Sequence, residues 1–296
     1  MATKIQGDSN APLTEEPKIP PRDKNVSWYR EKLKGLSPVA REMLENYSKI
    51  PPGEVESHVY KIRDEAWDVF PYPCIGEFRF LDLAITTSPS YPSILNRLKT
   101  GRETFLDLGC CFGQELRKVA YDGAVQENLY GSDLRSEFFE MGYRLFRDRD
   151  TLKSRFIQAD IFDDASALFT PELHGKIDII YAASFLHLFG YEQQVEVCKR
   201  LVGISRGKEG SMVVGRQVGS SREGEYVQKT NAGGSMYRHS AGSFERMWER
   251  VGEETGTKWR VECELKAFEW LSEDEREERE KMEPGLGMLR FSVIRE

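Results

Sequence analysis

From residue 104 onward, short apolar runs alternate with stretches long enough to form helices. The runs cover residues 104–108, 128–133, 154–160, 177–184 and 211–218, followed by 259–268 and 288–296. This alternation leaves few folds open. Parallel neighbouring strands need a crossover, and a crossover helix covers one face of the sheet. The pattern predicts a doubly wound α/β sheet with right-handed connections, closed by the last two runs as a pair. Residues 269–287 are charge-rich and read as a solvated connection with no strand of their own.

Upstream the texture is helical. Residues 27–36 and 37–50 place apolar side chains at three- and four-residue spacing. Ser37 before Pro38 suits an N-cap and first helical position. Residues 51–70 form an amphipathic pattern with Val55, Val59, Ile62 and Trp67 near one face, and Pro71 and Pro73 break it. Three regions follow: a disordered tail over 1–24, a helical cap and lid over 25–103, and a cofactor-binding core over 104–296. The cap reads as a layer on the core rather than as a unit with its own core.

Composition narrows the partners. A net charge of −7 argues against nucleic acid, whose phosphates need a basic face. No apolar run approaches the roughly 20 residues of a membrane span. Cys74, Cys110, Cys111, Cys198 and Cys263 show no metal-ligand spacing, and reduced thiols in a cytoplasmic protein are the simplest reading. Nothing in the sequence fixes the oligomeric state.

The first run feeds the turn "LDLGCCFGQ" at the carboxyl edge of the sheet, where open α/β folds bind ligands. A dinucleotide fingerprint set on Gly109 asks for glycine at 111 and 114, and finds Cys111 and Gln114. A G-x-G-x-G spacing fits better, with Gly109 and Gly113 and with Asp107 preceding the turn. A pyrophosphate must pass close to the middle glycine, whereas S-adenosylmethionine (SAM) has none and tolerates a small side chain there. Asp133 ends the second run, where a carboxylate can accept from ribose hydroxyls. Asp160 ends the third, beside Ile161 and Phe162, where it can accept from an adenine amino group. Each acid alone is equally a helix or loop cap; the ordered set favours SAM over NAD. Cys110 and Cys111 then read as small residues packing beside the cofactor, with a reactive thiol as the alternative.

At these residues the chain resembles a known family. Segments 105–124, 128–163, 177–189 and 213–219 look like class I SAM-dependent methyltransferases. With residues 71–83 and 236–239, the closer resemblance is to a fungal secondary-metabolism group that includes carboxyl O-methyltransferases of meroterpenoid pathways. It covers residues 25–296. It implies a Rossmann-like fold with a seven-stranded sheet whose last strand is antiparallel, plus the N-terminal helical layer. Leu134 and Ala182 join the cofactor contacts on this basis.

The acceptor should meet the cofactor after the fourth and fifth runs. Ala182, Ala183 and Ser184 are small and leave room; Phe185 and His187 follow. Arg216 and Gln217 face the same edge, and an arginine can hold a carboxylate through two parallel hydrogen bonds. Tyr237 and His239 belong to a glycine-containing loop that is able to fold over a substrate. The expected activity is O-methylation of a small apolar metabolite, with a carboxylate as first choice. A phenol or alcohol acceptor with His187 as base, and a SAM-fold cyclase or isomerase without methyl transfer, remain open alternatives.

Overall fold

The computed structural model describes residues 22–227, 234–268 and 271–296. Its strands are β1 Phe105–Leu108, β2 Leu129–Asp133, β3 Arg155–Gln158, β4 Ile179–Tyr181, β5 Met212–Ser220, β6 Gly224–Val227, β7 Ser235–Arg238, β8 Trp259–Lys266 and β9 Leu286–Arg295. Seven form one sheet in the order β3-β2-β1-β4-β5-β9-β8. The pairs from β3 to β5 are parallel, and β9 runs antiparallel to both β5 and β8. The expected seven-stranded Rossmann-like sheet with an antiparallel last strand is therefore present.

The helices are α1 Pro38–Glu42, α2 Val55–Val69, α3 Pro73–Gly76, α4 Tyr91–Lys99, α5 Gln114–Tyr121, α6 Glu137–Phe146, α7 Tyr191–Ile204, α8 Ala241–Thr255 and α9 Glu273–Met282. One sheet face packs Leu106, Ile180, Val213 and Leu289 against Val197, Leu201, Phe244 and Trp248 of α7 and α8. The other packs Phe105, Leu129, Ile179 and Val214 against α4 and α5 through Ile94, Leu98, Leu116 and Val119. A third cluster joins Leu44, Val59, Ile62, Trp67 and Phe80 of the N-terminal layer to Phe112, Phe138 and Phe146. Each such side chain contributes about 1.5–3 kcal/mol when fully buried. Among the described residues, the apolar side chains of this layer pack in clusters shared with the core, this one and the one on α4 and α5.

Four local expectations need correction. Residues 27–36 are turns and bends, not a helix. Their backbone groups bond elsewhere: Arg30 N–H donates to Gly76 O at 3.0 Å, and Leu33 N–H to the Tyr60 hydroxyl at 2.9 Å. Trp28, Tyr29 and Leu33 still pack on the third cluster, so their spacing recorded burial without a helix. Ser37 does cap α1, accepting from Ala40 N–H.

The expected loop around Tyr237 is instead a two-stranded hairpin, β6 with β7. Ala232 and Gly233 of the same expected loop lie outside the described residues, as does most of the expected tail. The connection near residue 275 contains α9. Ser272 and Glu275 cap it reciprocally, and its first turn is acidic while its last is basic. It has no apolar stripe, so periodicity missed it. Finally, β5 continues to Ser220 because β9 pairs with it along its whole length. Arg216 and Gln217 therefore sit inside a strand, on opposite faces, rather than at its end.

Candidate functional site

The turn after β1 alternates its backbone. Gly109, Cys111 and Gly113 have φ of +72°, +53° and +64°. A Cβ at Gly109 would stand 2.8 Å from the Phe185 ring, and one at Gly113 2.5 Å from the Phe156 ring. Glycine is therefore required twice, and Cys111 accepts a left-handed conformation that glycine would adopt without strain. The N–H groups of Gly109 and Cys110 both donate to Ser132 O, at 2.8 and 2.9 Å, which pins the turn to β2.

Asp133 completes the cradle. Its Oδ2 accepts from Cys111 N–H at 2.9 Å and its Oδ1 from Arg135 N–H at 3.1 Å. Each oxygen keeps a second lone pair, which suits a vicinal diol. Asp107 is buried, and its Oδ2 has no partner among the described residues. Burial first, then Glu115 and Asp133, push its carboxyl well above the usual range. The Ser132 hydroxyl is likewise buried without a partner. A buried, unmatched carboxylate is costly, and an incoming ammonium would relieve it. These features fit the amino-acid end and ribose of SAM.

The remaining residues expected at the cofactor divide. Leu134 is exposed beside Asp133 and offers an apolar edge for a purine. Asp160 caps its own turn, with Oδ1 accepting from Phe162 N–H at 2.9 Å, and Ile161 is buried behind it. The rings of Phe162, Phe189 and Phe185 follow one another at 5.1 and 5.4 Å and form an apolar wall. Phe185, expected at the acceptor, instead leans on Gly109 of the cofactor turn. Ala182 is buried and holds β4 to β5 through its N–H to Val214 O. Cys110 does not belong to the cofactor face. Its amide is used by Ser132, and its buried sulfur fills the space over Gly131. Cys111 and Cys74 pack on the same apolar cluster of the N-terminal layer.

The N-terminal layer brings further groups to the site. Tyr72 packs beside Phe70; burial, then Asp133, lift its hydroxyl to about 12. Arg79 begins a short turn, Arg79–Leu81, that ends against Asp82. Asp82 Oδ2 accepts from Arg216 at 3.0 Å and from Arg79 Nε at 3.4 Å. His187 sits on the turn Leu186–Leu188. Its Nδ1 is buried without a partner among the described residues. Burial, then the charges of Arg79 and Arg238, lower its pKa to about 3. The ring is neutral at any working pH.

Arg238, at the end of β7, lies over the Tyr226 ring and pairs with Glu283 at 3.5 Å. Arg79 and Arg238 thus both act on His187, and Arg216 joins Arg79 through Asp82; Asp82 and Glu283 are the acid partners. Arg79 and Asp82 were not singled out from sequence. The only signal was an arginine between two aromatics, Phe78 and Phe80, both of which are buried.

Three expected acceptor residues are placed otherwise. His239 is fully buried, with Nδ1 2.8 Å from Ser243 Oγ and its ring against Tyr237 and Phe244. The ring is a core histidine whose Nε2 has no partner among the described residues. Tyr237 packs between His239 and Tyr191 and donates its N–H to Phe189 O. Gln217 is fully buried on the opposite face of β5 from Arg216. A cavity of about 220 Å³ opens beyond Arg216, lined by Thr87, Ser90, Tyr181, Arg290 and Ser292; no glycine-turn residue borders it. Among the described residues no helix is long and apolar enough to cross a membrane.

Comparisons with known proteins agree with this geometry. A family model described as "Meroterpenoid methyltransferase N-terminal domain" matches residues 28–81. The chain is 48% identical over 250 residues to O-methyltransferase atr3 of Stereocaulon alpinum, covering 84% of this chain and 72% of that one. It is 46% identical to methyltransferase adrK of Penicillium roqueforti, covering 91% and 94%. It is also 46% identical to the asnovolin E/chermesin D methyltransferase nvfJ of Aspergillus novofumigatus, covering 78% and 82%. Identity of this level over most of both chains, on a sheet and turn suited to SAM, shows that the chain belongs to this family of fungal SAM-dependent O-methyltransferases of secondary metabolism.

Proposed function

We propose that the protein methylates a carboxylate of a small, largely apolar secondary metabolite, leaving a methyl ester. The observation that carries this reading is the pair Arg79 and Arg238 acting on a neutral His187, with Arg216 joined to Arg79 through Asp82. Arginine suits a carboxylate because its N–H groups form parallel pairs with the two oxygens. The acids beside these arginines hold the guanidinium groups in position and moderate their charge. That balance matters, since an acceptor bound too tightly before reaction gains nothing in rate.

SAM supplies an electrophilic methyl group on a sulfonium. Asp107, Ser132 and Asp133 would hold its amino-acid end and ribose, with Leu134, Ile161 and Phe162 beside the purine. The chain's own task is then to align an acceptor oxygen and exclude water. A carboxylate is already a nucleophile at neutral pH, so no proton has to be removed. His187 fits that economy. With a pKa of about 3 it is a poor general base, which works best near the operating pH. A neutral imidazole can still donate one hydrogen bond to the acceptor. The Phe162–Phe189–Phe185 wall suits an apolar body behind the reacting group.

The relative named for asnovolin E and chermesin D, and the family's meroterpenoid description, support a terpenoid-derived acceptor. The reading places the enzyme in the cytoplasm, with a small-molecule acceptor and no nucleic-acid partner. The test is incubation of a fungal metabolite extract with enzyme and methyl-labelled SAM, followed by mass spectrometry. A product that gains one label and loses it on mild base treatment is the expected ester. A base-stable label would move the acceptor to a phenol or alcohol, and SAM binding without any labelled product would favour the cyclase or isomerase alternative.

A further inference from the structure

Glu115 stands at the second position of α5, directly after the cofactor turn, and is buried. Its two oxygens reach a segment about thirty residues earlier in the chain. Oε1 accepts from Ala84 N–H at 2.6 Å and Oε2 from Ile85 N–H at 3.0 Å. These amides open the short turn Ala84–Thr87. The preceding residue, Leu83, is left-handed with φ +46° and brings no side-chain cap. The first amides of such a turn need an acceptor, and here it comes from another element.

The same segment carries Asp82, the residue that holds both Arg216 and Arg79. Asp82 is therefore fixed two residues downstream by a side chain of the cofactor helix. A carboxylate fits both amides at once, with one oxygen for each. A glutamine offers one oxygen and would turn its NH2 toward the second amide. Charge is not needed for packing at this position, and burying it is costly.

We propose that Glu115 is a positioning residue for the acceptor: it sets where Asp82, and through it Arg216 and Arg79, stand relative to the cofactor turn. The proposal rests on the carboxylate reading only for what the arginines hold. It makes the two halves of the site mechanically one, since the helix that presents the cofactor turn also anchors the strap that carries Asp82.

The arrangement has a pH signature. Burial lifts the Glu115 carboxyl to about 7, against the pull of the two amides and of Arg216. The charged and titratable groups around it are Arg216 on β5, Asp82 on the strap, Asp107 on β1, Tyr91 on α4 and Tyr181 on β4. Asp107 is also shifted upward, so its titration must be separated from that of Glu115. On protonation, Glu115 exchanges one acceptor for a donor and the strap loses one of its two anchors.

Three readouts on the full chain test this, comparing wild type with Glu115→Gln and Glu115→Asp. The first is hydrogen exchange of the peptide spanning 79–90, read by mass spectrometry. The second is calorimetric affinity for S-adenosylhomocysteine. The third is the extract concentration that half-saturates label transfer from methyl-labelled SAM. For Glu115→Gln the strap should exchange about tenfold faster at pH 8, and half-saturation should need about tenfold more extract, the size of one lost hydrogen bond. Affinity for S-adenosylhomocysteine should stay within about twofold. In wild type, strap protection corrected for intrinsic rates should fall as pH drops through about 7, because opening of the strap alone removes the two amides that hold the carboxyl down while Glu115 stays buried, unlike global unfolding, which exposes it. Glu115→Gln should lack that step, which separates Glu115 from Asp107, and Glu115→Asp should keep it.

Unchanged strap exchange in Glu115→Gln overturns the proposal, and so does faster exchange with unchanged half-saturation. If the Gln variant does not fold, the Asp variant and the wild-type pH step decide; absence of that step overturns it. A base-stable product would count against the carboxylate reading alone and leave the exchange result standing.

Discussion

Asp82 and Arg216 meet at 3.0 Å although one belongs to the N-terminal layer and the other to the middle of β5. This contact ties the layer to the central sheet beside the proposed acceptor region. Arg216→Ala should leave S-adenosylhomocysteine affinity within about twofold while raising acceptor half-saturation about 10- to 100-fold, the size of a charge-assisted pair. Calorimetry and label transfer separate the two effects. Equal loss of both would make Arg216 a structural residue.

Asp133 bonds to the turn after β1, and on the reading proposed above it also holds the ribose. Asp133→Ala removes an acceptor for the ligand and for Cys111 N–H together. Affinity for S-adenosylhomocysteine should drop by about one to two orders of magnitude, from roughly 1–3 kcal/mol of unmatched hydrogen bonding. Unchanged affinity in a folded variant would remove Asp133 from the site.

His187→Gln keeps a donor and should retain much of the single-turnover rate, whereas His187→Ala should lose more. Neither loss should shrink as pH rises from 6 to 9, because a histidine with a pKa of about 3 removes no proton in that range. A steep recovery of both variants at high pH would restore the base role and a hydroxyl acceptor.

Cys111→Gly tests the strained turn. Removing a side chain from a left-handed position relieves roughly 1–2 kcal/mol, and the flexibility of glycine gives back about 0.5–1 kcal/mol in the unfolded chain. The variant should bind S-adenosylhomocysteine as wild type does and melt at the same or a higher temperature. Lost binding would mean that the thiol itself contributes, either to the ligand or through Cys74.

Stability should fall on acidification for a reason that lies away from the surface. Burial lowers the pKa of His187 to about 3 and that of His239 to about 4. The unfolded chain takes up these protons near pH 6.5, while the fold resists them. Their contribution is complete above about 6.5 and is lost as pH falls toward the folded values, at about 1.4 kcal/mol per pH unit for each histidine. Glu115 works in the opposite sense: its contribution is complete below its unfolded value and is lost as pH rises through about 7. Denaturant titrations from pH 4 to 8 should show a flatter acid limb for His187→Gln than for wild type.

The strands of the core were legible because each is a short apolar run between helical stretches, the antiparallel last strand was implied by the family resemblance, and Asp107, Gly109, Gly113 and Asp133 follow from the same edge of the same sheet. The acceptor side was less so. Arg79 and Asp82 reach Arg216 and His187 across more than a hundred residues of sequence, and no local spacing records such a meeting. His239 and Gln217 misled because a polar residue near a strand end looks the same in sequence whether it faces a cleft or the core. Residues 27–36 misled in a related way: apolar spacing reports which side chains are buried, while Gly76 and Tyr60 decide where the amides go.

Phe112, one residue before Gly113, is fully buried edge-on against Phe80 and Phe138. The cofactor turn is thus continuous with the packing of the N-terminal layer. That bears on recombination among relatives. An exchange of the layer to alter acceptor choice, cut at the start of the sheet, would divide one jigsaw of aromatic rings between two parents. A hybrid should keep its fold only when Phe112, Phe138, Met141, Leu145 and Phe146 are inherited with the layer they touch. The natural crossover unit is therefore the layer together with the inner faces of α5 and α6, and acceptor choice and cofactor grip should be inherited as one block.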